Sequence, residues 1–83
     1  MTPAEFGDVM RWGKGSEDAV DRIETLTVEE LRQRPEITAD CLLRWRAFFV
    51  DVLRRFPDNP SAAGRIELMS HAAALLSEEE PRP

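Results

Sequence analysis

The sequence predicts a small all-α bundle, and three observations carry that prediction. Helix-start signals recur along the chain, strand signals are missing, and two stretches in the second half repeat apolar residues at helical spacing. No alternating run of β-branched residues and no Asn-Gly or Asp-Gly hairpin turn occurs anywhere in the 83 residues. A chain of this length makes one domain, expected over residues 1–78, with a disordered acidic and proline-containing tail over 79–83.

Five helices follow in order. Thr2 opens the first, with Pro3 at the first helical position and Glu5 completing a capping box; Phe6, Val9 and Met10 form its inward stripe. Gly13-Lys14-Gly15 ends it. Ser16 is the expected cap of a second helix, whose first turn carries Glu17 and Asp18 and whose inward residues are Ala19, Val20 and Ile23. Thr27 and Glu30 form another capping box, with Leu26 and Leu31 as a hydrophobic staple, and Pro35 keeps this third helix short.

Thr38 caps the fourth helix, about 39–56, which Pro57 stops. Pro57 to Ser61 is a compact turn, and Asn59 or Ser61 caps the fifth helix, about 61–77. These two long helices are expected to form an αα-hairpin covered by the three short ones.

In the 39–56 helix, Leu42, Trp45, Phe49, Val52 and Phe56 repeat at alternating spacings of three and four, and Phe48 and Leu53 widen the stripe. Leu43 and Val50 lie beyond one edge. Asp40–Arg44 and Asp51–Arg55 are favourably oriented pairs on its polar back. So wide an apolar arc has two readings: a central helix wrapped by the other four, or an edge at Leu43 and Val50 left open for a partner. Arg46 interrupts that edge and must reach water, meet an acid or serve the partner. The 61–77 helix has a similar surplus. Ile66, Met69, Ala73 and Leu76 form one stripe, Leu68, Ala72 and Leu75 form a second, and Arg65 interrupts the arc at its first turn.

Composition narrows the function classes. Cys41 is the single cysteine, so no intrachain disulfide forms, and Cys41 with His71 is too few soft ligands for a structural zinc. The lone cysteine fits a reducing compartment, no run is long enough to span a bilayer, and the N-terminus has no signal-peptide pattern. A cytoplasmic protein is expected. The net charge of −5 disfavours nucleic acid as a partner, and Glu29 and Glu30 would face phosphates if the short helices formed a helix-turn-helix.

No constellation of catalytic, metal or cofactor residues stands out. His71 has Glu67 and Ser70 nearby on its own helix, whereas catalytic triads draw their members from separate elements. Cys41 lies in a first turn, where a thiol pKa can fall, but it borders the Trp45 stripe and reads as a small apolar residue. Gly13-Lys14-Gly15-Ser16 lacks the spacing and preceding strand of a phosphate-binding loop and reads as a linker. The run Val52-Leu53-Arg54-Arg55-Phe56-Pro57-Asp58-Asn59-Pro60 resembles the junction between helices of tetratricopeptide repeats, but the repeat period of that family is absent.

The reading that remains is a non-enzymatic protein-interaction module: a small regulator, adaptor or accessory subunit whose partner is another protein chain, its own copy or a different one. No cofactor, metal, membrane, nucleic acid or small-molecule substrate is expected. The candidate contact residues are Trp12, at the edge of the first helix, then Leu43, Arg46 and Val50, and Leu68, Ala72 and Leu75. One alternative is a phage or mobile-element inhibitor that occludes a host protein surface. Another is a small enzyme or redox protein using Cys41 or His71.

Overall fold

The computed structural model describes residues 2–59 and 61–79. It contains five helices: α1 (Pro3–Met10), α2 (Ser16–Thr25), α3 (Val28–Arg32), α4 (Ala39–Arg55) and α5 (Ala62–Glu79), and no strand among the described residues. The all-α bundle with a long α4–α5 hairpin is as the sequence predicts. Of the expected tail, Glu79 ends α5, while residues 80–83 lie outside the described residues, as does Pro60 in the α4–α5 turn.

The caps explain the boundaries. The hydroxyls of Thr2, Thr27 and Thr38 each accept a hydrogen bond from the backbone N–H three residues on, at 3.2, 3.3 and 3.1 Å. Asn59 performs the same task for α5, its Oδ1 accepting from the backbone N–H groups of Ser61 and Ala62. One cap departs from the sequence expectation. Gly15 occupies the cap of α2 without a side-chain bond, and Ser16, inside the helix, turns its Oγ outward to accept from the backbone N–H of Gly64 at 3.0 Å. The hydroxyl thus satisfies an N–H in the first turn of α5, where no intrahelical partner exists.

The central element is α5. It packs against α4, α2 and α3, and it buries Ala62, Gly64, Leu68, Met69, Ala72 and Ala73. The expectation of a central 39–56 helix is therefore corrected: α4 fully buries only Leu42 and Phe49. The reason is side-chain size. Alanines and glycine along α5 let neighbouring helices approach closely on several sides, whereas the bulky residues of α4 hold neighbours off. At Gly64 an added Cβ would sit 2.3 Å from the Ser16 carbonyl oxygen and 2.5 Å from its Cα, so only glycine permits the α2–α5 crossing as it stands.

The first helix is tied in by aromatic contacts. Phe6 stacks on Trp45 with ring centroids 4.8 Å apart, and Trp12 meets Phe6 and Phe49 edge-on at 5.7 and 5.1 Å. Arg11 ends α1 in the left-handed region (φ 58°), which turns the chain back and lays the Trp12 indole against Gly7. An L-residue in that region carries a cost of about 1 kcal/mol, offset by the burial of the indole.

Candidate interaction surface

The seven residues singled out from the sequence fall into two groups. Trp12, Leu68 and Ala72 are buried, and Leu75 packs half-buried against the core, so the chain itself covers all four. That corrects the place of Trp12 among the candidate contact residues: the αL turn at Arg11 folds it inward. The second stripe of α5 could meet either the short helices or another chain, and α5 packs on α2 and α3. The remaining three residues stay open. Leu43 is 47% exposed and Val50 37%, Arg46 is exposed, and together with Ala47 they line one shallow apolar groove on the outside of α4.

Helical spacing makes this groove a straight ledge. Leu43, Ala47 and Val50 stand at i, i+4 and i+7, with Arg54 continuing the row and Arg46 beside it. The small Ala47 side chain leaves a dip between two larger ones. On the polar back of α4, Arg44 pairs with Asp40 at 3.0 Å and Arg55 with Asp51 at 3.2 Å, as the sequence predicts. Among the described residues neither Arg46 nor Arg54 has a hydrogen bond or ion pair. The other edge of α4 is less covered than expected as well. Phe48 is 44% exposed, although it meets Trp45 and Phe49 edge-on, and Phe56, beyond the last turn, is 63% exposed.

Two arginines are built into the packing of the bundle. Arg22 is only 7% exposed. Its Nε–H donates to the Met10 carbonyl at 3.0 Å, one terminal nitrogen to Thr25 Oγ1 at 2.8 Å, and the other to the Glu30 carboxylate, so one side chain joins α1, α2 and α3. That guanidinium, by hydrogen bond and by charge, holds the Glu30 carboxyl below the ordinary glutamate value despite opposition from desolvation; Arg11 and a backbone hydrogen bond from Thr27 add to the effect. Val20, expected inward on α2, is exposed in its place. Periodicity ranks residues by polarity and so favours Val20 for the inward face. Arg65 lies over the Trp12 ring, 4.6 Å from its centroid, and burial lowers its pKa.

The positions that bear on an enzyme or metal reading are dispersed. Cys41 is half-buried against the core beside Trp45, and His71 is half-buried on α5. Among the described residues no three His, Cys, Asp or Glu side chains form a group able to hold a metal ion, and no helix is long and apolar enough to cross a membrane.

No characterised protein and no solved structure matches the chain. A family model does match, over residues 1–76, which takes in all of α1 to α4 and most of α5. That match over most of the chain places it in the family described as Domain of unknown function (DUF4951).

Proposed function

We propose that this chain is a non-enzymatic protein-interaction module, a small cytoplasmic regulator, adaptor or accessory subunit that docks another protein along the outer ledge of α4. The observation that carries this reading is the state of Leu43, Ala47 and Val50. They form an apolar row on a helix whose other face supplies core residues, yet among the described residues Leu43 and Val50 remain 47% and 37% exposed. An apolar row with a cation at its side is the pattern of a helix-docking surface: aliphatic anchors supply affinity and charge supplies register.

The test is a Leu43→Asp/Val50→Asp double variant of the full chain, produced in the native host and compared with wild type by affinity purification. The variant is expected to keep its helical circular dichroism and to lose the partner that wild type retains. An unchanged set of partners on a folded variant would refute the reading.

A further inference from the structure

Resting on that reading, we infer that the partner segment is an acidic amphipathic helix of about three turns, its apolar stripe seated on Leu43, Ala47 and Val50 and its carboxylates set against Arg46 and Arg54. Charge carries the inference. The chain bears a net charge of −5, so two arginines at one ledge run against its overall sign. Asp40 and Asp51 on the back of α4 are already matched by Arg44 and Arg55, whereas Arg46 and Arg54 have no ion pair or hydrogen bond among the described residues. The unneutralised charge next to the apolar row is therefore positive, and a complementary surface must be apolar and acidic.

Shape specifies the helix. From Leu43 to Arg54 the row runs about 16 Å along α4, roughly three turns. Its spacing alternates four and three residues, the register of a helix–helix seam, and the dip at Ala47 takes one side chain of a facing helix. Antiparallel pairing of a second copy, Leu43 against Val50, fits poorly, because it brings the Arg46 of one copy close to the Arg46 of the other beside an apolar seam.

The probes are two synthetic helical peptides of about four turns with one leucine stripe in common, flanked in one by glutamates and in the other by lysines. Titrated against the full chain at low salt, the glutamate-flanked peptide is expected to bind at least about tenfold more tightly, with the advantage shrinking as salt is added. Arg46→Glu/Arg54→Glu, both at exposed positions, should invert the preference, and Leu43→Asp/Val50→Asp should remove binding of both peptides. Equal binding of the two peptides, no binding of either, or a wild-type dimer by light scattering that Leu43→Asp/Val50→Asp dissolves would each overturn the acidic-helix assignment. Those results leave the ledge as a docking surface intact, because that reading falls only if the native partner survives the Leu43→Asp/Val50→Asp change.

Discussion

The two long helices are similarly rich in apolar residues and use them in opposite ways. In α5 the apolar residues are small or slender and spread around the circumference, and α4, α2 and α3 all close on it. In α4 they are large and aromatic, and the helix buries two of them fully while leaving Leu43, Val50 and Phe48 exposed. Size, more than hydrophobicity, decides which helix becomes the hub. A helix surrounded on several sides needs residues that allow close approach, and bulky side chains on a peripheral helix have room to reach inward on one side only.

The largest effects should therefore come from α5. Leu68→Ala removes a fully buried side chain at the centre of the packing and is expected to cost about 3–4 kcal/mol. For an 83-residue domain, whose whole stability is on the order of 4–12 kcal/mol, that is a large fraction, and urea unfolding followed by circular dichroism would read it. A loss below about 1 kcal/mol would show that α5 is less central than its burial implies. Gly64→Ala sharpens the same point. Alanine favours an isolated helix by about 1 kcal/mol over glycine. Here the Cβ meets Ser16 backbone atoms, which cannot rotate away, so overpacking of about 2–3 kcal/mol should outweigh the propensity gain. Net destabilisation is expected, with the α2–α5 crossing forced apart.

These assignments show where the chain is legible as a sequence. Every helix was readable, because threonine caps, prolines and spacing act locally and their partners lie within four residues. The open ledge was readable too, since Leu43, Arg46 and Val50 fall outside the main α4 stripe. Tertiary geometry was not. The inward turn of Trp12 depends on one left-handed residue, Arg11, of a type that rarely adopts it. The burial of Arg22 depends on three acceptors brought together from α1, α2 and α3, and no periodicity encodes that meeting. The hub role of α5 hides in its alanines, which hydropathy ranks below the leucines and phenylalanines of α4.

The Arg22 junction, which ties α1, α2 and α3 together, allows a smaller test. Glu30 has its carboxyl pKa lowered in the folded state, so its contribution is fully present above the ordinary value of 4.5 and is lost as pH falls toward the depressed folded value. Wild type should lose more stability than Glu30→Gln between neutral pH and pH values below 4.5, with the two urea midpoints converging at the acid end. The gap at neutral pH is expected to be smaller than either α5 effect, because the Glu30 side chain is 37% exposed and solvent screens the pair. Parallel pH profiles for the two proteins would show that the junction gains nothing from this charge.

The smallest effect belongs to the ledge, and its smallness is informative. Leu43→Ser/Val50→Ser removes two aliphatic side chains from α4, the same kind of change that costs several kcal/mol at Leu68. Both positions are exposed in the free chain, so folding gains little from them, and the expected change in unfolding free energy is within about 0.5–1 kcal/mol in total. A core residue cannot behave this way, because the cavity and transfer terms both apply wherever a side chain is enclosed. Apolar side chains that contribute little to stability still increase the risk of non-specific association, which is why the row at Leu43, Ala47 and Val50 is the surface proposed for docking. A measured loss above about 2 kcal/mol would place Leu43 and Val50 among the core residues and remove the contrast between the two helices. Unchanged stability, together with loss of the partner in the aspartate variant, would separate the two roles of α4: an inner face that folds the chain and an outer face that binds.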